Sequence, residues 1–181
     1  MRQPLTADSL QVFMKALAAS VTTPSRIYLV GGATAVLLGW RNSTIDIDLK
    51  IVPESDEILR SLPELKERLH LNIELASPSD FIPELPGWQE RSRFIQQEGK
   101  LAFYHYDFYA QALAKIERAH EMDSHDVDQL IARGLVDPQR LRELFLMIED
   151  HLYLHPSLDR AIFRRAVERI AGTQIDSVDA G

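Results

Sequence analysis

The chain of 181 residues contains no cysteine. That absence excludes disulfides, thiolate metal sites and a cysteine nucleophile, and it is in keeping with a reducing cytoplasm, the expected location. Long apolar runs are missing too: none approaches the roughly 18 residues of a membrane span, so no membrane partner is expected. Residues 1–5 carry no basic stretch with an apolar run behind it, and no secretory signal is expected. There is no basic tail. The net charge is −7, about −4 before Arg91 and about −3 from there on. Global charge therefore argues against tight nucleic-acid binding and against DNA sequence recognition, while leaving room for a local basic face. The common phosphate signatures are incomplete: no Gly-Lys-Ser/Thr follows the glycine pair, and the third glycine of a dinucleotide fingerprint is lacking. No His-Glu-x-x-His occurs, and the pairs His120/His125 and His151/His155 have poor spacing or a proline beside them, so zinc is not expected.

What is present is enough to build a core: apolar residues make up 45%. Leu10, Phe13, Met14 and Leu17 follow helical spacing within residues 7–20. Residues 26–30 read as a strand, Gly31-Gly32 breaks it, and residues 33–38 read as a short helix. Residues 45–51 alternate apolar and charged as a second strand, Ser55 caps a helix to residue 69, and residues 71–75 form a third strand. Prolines 78, 83 and 86 with Gly87 mark a loop, and residues 91–97 and 100–106 form a hairpin around Glu98-Gly99. Beyond Asp107 only helices are expected: residues 110–120, 126–133, a helix started by Asp137-Pro138, and one from Pro156-Ser157 to about residue 170, with a frayed end. The expected fold class is α+β, a small mixed sheet flanked by helices and followed by a helical bundle. Residues 1–107 would be the catalytic core and residues 108–181 a helical region packed on it as one compact unit.

The chemistry concentrates in Val30-Gly31-Gly32, thirteen further residues, and Asp46-Ile47-Asp48-Leu49. Alternate strand positions point the same way, so both carboxylates leave one face, close to a turn whose backbone can approach phosphate. Two divalent ions roughly 3.5–4 Å apart can bind the attacking and leaving oxygens of a phosphoryl centre, and magnesium favours carboxylates and water. Glu74, between apolar neighbours on the next strand, is the candidate third carboxylate. Taken singly these are ordinary features: a Gly-Gly turn, an exposed strand face, a solvated glutamate. Their joint spacing is what points to metal-assisted chemistry on a nucleoside triphosphate.

The string Tyr28-Leu29-Val30-Gly31-Gly32-Ala33, continued by Gly39-Trp40-Arg41-Asn42-Ser43-Thr44-Ile45-Asp46-Ile47-Asp48-Leu49, resembles the nucleotidyltransferase superfamily with the polymerase-beta-like fold. Within it, the string is similar to the minimal branch that includes AbiEii-type toxins of bacterial toxin–antitoxin systems. Lys115, then Asp123 and Asp126-Val127, is similar to that branch's downstream lysine and aspartate pair; the second resemblance is the less specific of the two. The resemblance implies transfer of a nucleoside monophosphate from an NTP, such as ATP, with Mg2+ as cofactor and Mn2+ as an alternative. Asp46, Asp48 and Glu74 would hold the metals, Glu74 also assisting deprotonation of the acceptor hydroxyl. Gly31 and Gly32 would cradle the triphosphate, Lys115 and Arg41 would offset its charge, and Asp123 would orient Lys115 or the acceptor. Many members carry serine where this chain has Gly32; Thr34 is the expected source of the missing hydroxyl. The implied acceptor is RNA, such as a tRNA 3′ end, for a toxin with a cognate antitoxin. The alternatives are a partner protein, for an antitoxin that adenylylates its toxin, and a nucleotide-binding module without turnover.

Overall fold

The structure, a computed structural model, describes residues 3–173; the expected frayed end falls largely outside the described residues. The chain divides into two compact units. One runs up to Ser77 and takes in Ser92–Tyr106; the other is Pro78–Arg91 with the chain from Asp107 onward.

The first unit contains α1 (Ala7–Ala19), β1 (Ser25–Val30), α2 (Gly32–Leu38), β2 (Asp46–Val52), α3 (Asp56–Leu69), β3 (Asn72–Glu74), β4 (Arg93–Glu98) and β5 (Leu101–His105). The five strands form one sheet in the order β3-β2-β1-β5-β4. β1 runs antiparallel to β2 and parallel to β5, β2 is parallel to β3, and β4 antiparallel to β5. Local signals start the helices: Thr6 and Ser9 close a reciprocal capping box on α1, and the Ser55 hydroxyl accepts from the Ile58 N–H at the head of α3.

The sheet has two unlike faces because its strands alternate. Ile27 and Leu29 of β1, Ile47, Leu49 and Ile51 of β2, Ile73 of β3, and Leu101 and Phe103 of β5 lie in one buried cluster with Leu10, Phe13, Met14 and Leu17 of α1 and Ile58, Leu62 and Leu65 of α3. Each such side chain contributes on the order of 1.5–3 kcal/mol by leaving water. A one-residue slip of β2 would turn this apolar set outward and its charged set inward, so the cluster pins the register that aims Asp46 and Asp48. The third strand is shorter than its alternation suggested, ending at Glu74, with Leu75 exposed.

The second unit is helical: a 3-10 turn at Pro78–Asp80, α4 (Trp88–Arg91), α5 (Phe108–Arg118), α6 (Glu121–Ala132), α7 (Pro138–Ile148), a 3-10 turn at Glu149–Leu154, and α8 (Arg160–Thr173). The stripe Leu141, Leu144, Phe145, Ile148 is buried, and the Phe145 ring meets Phe163 of α8 edge-on with centroids 4.9 Å apart. α4, inside the expected proline loop, follows Gly87 at φ 75°. α6 starts at Glu121, ahead of the expected Asp126, because Asp123 and Asp126 serve buried ion pairs and not the cap. α8 starts at Arg160 because Asp159, not Ser157, caps it, its carboxylate accepting from the Ile162 N–H at 2.9 Å. Among the described residues no helix is long and apolar enough to cross a membrane.

Candidate active site

Along β2, half-buried Asp46, Asp48 and Lys50 alternate with buried Ile47, Leu49 and Ile51. The two carboxylates therefore share a face, one strand step apart. The parallel β2–β3 register sets Asn72 beside Asp46 and Glu74 beside Asp48. The Asn72 side-chain amide donates to Oδ1 of Asp46 and, at 2.9 Å, to Oε1 of Glu74. Asn72 was missed from the sequence, although its position two residues before Glu74 on an alternating strand is the signal that would have found it.

Glu74 is exposed, and one of its oxygens is held by that amide. Among the described residues no group of three or more His, Asp or Glu side chains converges closely enough to hold a metal ion. Glu74 thus neighbours the aspartates without forming a three-carboxylate cluster with them. Asp46 and Asp48 remain as a pair of hard oxygen ligands. The pair fits magnesium, which is commonly held by one or two carboxylates, with water and substrate phosphate filling the rest of its octahedron.

The glycine turn lies against this pair. Gly31 has φ 63°, a conformation that costs other residues strain, and a Cβ placed there would be 3.5 Å from Oδ2 of Asp48. Gly32 is required for a different reason. A Cβ there would overlap Oγ1 of Thr44 and stand 2.7 Å from its Cβ. Thr44 cannot easily yield, since its backbone exchanges two hydrogen bonds with Leu5, at 2.7 and 3.0 Å.

Thr34, the expected replacement hydroxyl, is turned the other way. It is 1% exposed, and its hydroxyl shares a 3.1 Å hydrogen bond with Nδ1 of His105 and lies 3.4 Å from the Leu29 carbonyl oxygen. Two residues into a helix that packs on the sheet, position 34 faces inward, so this hydroxyl anchors α2 and does not offer itself at the turn. His105 is itself buried, which with the nearby Arg93 guanidinium pushes its pKa down to about 4. Arg41 lies in the turn after α2, where its N–H donates to the Ala35 carbonyl at 3.3 Å.

The remaining candidates belong to the second unit. Lys115 of α5 donates to Oδ1 of Asp123 at 3.2 Å and to Oδ2 of Asp126 at 2.7 Å, both on α6. Arg118, one turn further along α5, makes a bidentate pair with Asp123. Asp123 and Asp126 are buried, so each must be compensated, and the two cations do so. Arg118 was overlooked in the sequence, although i and i+3 on a helix share a face. At the start of α5, Asp107 caps Tyr109 and pairs with Arg91 at 2.7 Å; its pKa is nonetheless raised, because complete burial outweighs the guanidinium. The basic side of α8 is partly neutralised: Arg160 and Arg164 both pair with Glu149.

A family model described as "Nucleotidyltransferase of unknown function (DUF6036)" matches residues 9–169, most of the chain. Neither the characterised proteins nor the solved structures compared with the chain give a match.

Proposed function

The chain belongs to this nucleotidyltransferase family, and from that premise we propose that it moves a nucleoside monophosphate from an NTP to a hydroxyl acceptor in a Mg2+-dependent reaction. In that step the acceptor oxygen bonds to the α-phosphorus, the bond from that phosphorus to the bridging oxygen breaks, and pyrophosphate leaves. The observation that carries the reading is the pair Asp46 and Asp48 on one face of β2, with the Asp48 carboxylate against the Gly31 turn. Asp46 and Asp48 would hold magnesium, which supplies charge neutralisation at the phosphorus and at the leaving oxygen. Asn72 fixes the Asp46 carboxylate from the neighbouring strand. Gly31 and Gly32 would present a backbone without side chains to the phosphate chain. Glu74, beside Asp48 in the ladder, would accept the acceptor's proton.

The motif resemblance supports RNA as the acceptor, with a tRNA 3′ end the first choice and a toxin role to match. The test incubates the protein with each α-labelled NTP, Mg2+ and total tRNA, alongside Asp48→Asn. Labelled RNA is expected from the wild type. The variant should lose roughly a hundredfold or more in rate, because metal stabilisation of the transferring group is worth several kcal/mol. Label on a protein and none on RNA would replace the acceptor. No label on either, with any NTP and with Mg2+ or Mn2+, would refute the transferase reading. Growth arrest on expression that depends on Asp48 would support the toxin role, and harmless expression of a protein active on tRNA would remove it.

A further inference from the structure

We propose that the Thr44 hydroxyl is the side-chain donor to the triphosphate in this protein, taking the place left open by Gly32. The inference rests on the nucleotidyl-transfer reading of the same site and names one of its substrate-binding residues.

Three observations carry it. First, a Cβ built on Gly32 overlaps Oγ1 of Thr44. The threonine hydroxyl therefore occupies the space that a side chain at position 32 would need. A short hydroxyl side chain on residue 32 and the Thr44 side chain are mutually exclusive, and either would put an oxygen in the same small volume. Second, Thr44 stands two residues before Asp46 and four before Asp48, and all three are half-buried where their neighbours Ile47 and Leu49 are fully buried. Thr44 itself lies just ahead of β2, in an isolated bridge with Leu5, and the neighbouring Gly31 would set a Cβ 3.5 Å from Oδ2 of Asp48. The Thr44 hydroxyl and the Asp48 carboxylate thus meet adjacent residues of the same glycine turn. Third, Thr44 is held in place. Its backbone exchanges hydrogen bonds with Leu5 in both directions, while among the described residues its hydroxyl has only a long, 3.4 Å approach to the Asp46 carbonyl oxygen. A weakly engaged donor on a fixed backbone can turn to a phosphate oxygen at small cost. The inward-facing Thr34 leaves Thr44 as the hydroxyl that meets the glycine turn.

The test is a reciprocal swap. Binding of the α,β-methylene analogues of ATP, GTP, CTP and UTP with Mg2+ is measured by calorimetry for the wild type, Thr44→Val and the double variant Gly32→Ser/Thr44→Gly, with thermal unfolding recorded for each. Valine keeps the shape and removes the hydroxyl. Thr44→Val should weaken the best-bound analogue about ten- to a hundredfold, the usual effect of losing a hydrogen bond to a charged group, and in turnover the loss should fall on KM more than on kcat. The double variant, with the hydroxyl returned from the other side of the turn, should recover most of the affinity. Wild-type affinity in Thr44→Val overturns the inference, and so does a loss that the double variant leaves unrepaired. Should Thr44→Val unfold early, the double variant alone decides. A wild type that neither binds any analogue with Mg2+ nor transfers label sinks the underlying transferase reading as well; a wild type that does both while Thr44→Val matches it sinks only the role of Thr44.

Discussion

Lowering the pH should loosen α2 from the sheet through a single side chain, His105. The imidazole lies on the apolar side of β5, shares a hydrogen bond with Thr34 of α2, and has its pKa pushed down to about 4 from 6.5, first by burial and then by the nearby Arg93 guanidinium. A depressed histidine pKa means that the unfolded chain takes up a proton more readily than the folded one. Below pH 6.5 protonation therefore favours unfolding. Stability falls as the pH drops from about 6.5 towards 4 and levels off below that. The whole shift corresponds to about 3 kcal/mol, of which about 2 kcal/mol is lost by pH 5. That is a large share of the 5–15 kcal/mol typical of a domain. The assay is urea unfolding at pH 7.5, 6 and 5 for the wild type and His105→Gln. Carboxylates titrate in both proteins and cancel in the difference. The variant should be less stable at pH 7.5, and the gap should close by about 2 kcal/mol at pH 5. A gap that stays constant with pH would refute the assignment of a buried neutral imidazole.

Three further outcomes follow from the packing. Lys115→Met leaves the buried Asp126 carboxylate without the ammonium 2.7 Å away, and chemical denaturation should show a loss of about 3 kcal/mol; a loss below about 1 kcal/mol would mean that the network relaxes around the gap. Gly32→Ala forces its Cβ into Thr44 and should cost about 1–3 kcal/mol, measured by the same method, with wild-type stability contradicting the Gly32–Thr44 contact. Asn72→Asp replaces the amide that bridges Asp46 and Glu74 with a third carboxylate. Like-charge repulsion should lower the melting temperature without divalent ions, and Mg2+ should raise it by more than in the wild type; equal Mg2+ responses would argue against a metal at this face.

The parts of the fold legible in the sequence are those set by short-range periodicity. The alternation from Ile45 to Ile51 announces both the strand and the shared direction of Asp46 and Asp48, because the side-chain period of a strand is two whatever it packs against. The hairpin about Gly99 and the α7 stripe were legible for the same reason. Element ends were less so. The start of α6 was misplaced because aspartates suit caps and ion pairs equally, and only the position of Lys115 shows which is made.

The sequence by itself determined that two carboxylates and a glycine turn would meet at one strand face, since residues 30–48 are close in the chain and strand geometry does the rest. Tertiary structure decided which neighbours complete that face and which side chains turn away from it. Asn72 reaches Asp46 through a parallel pairing across 26 residues, Thr34 finds His105 across 71, and Thr44 fills the space beside Gly32. Register and side-chain volume between distant segments are settled by packing of the whole unit, which no local pattern encodes. It is likewise packing that turns the Thr34 hydroxyl inward to His105 and sets the Thr44 hydroxyl beside the glycine turn.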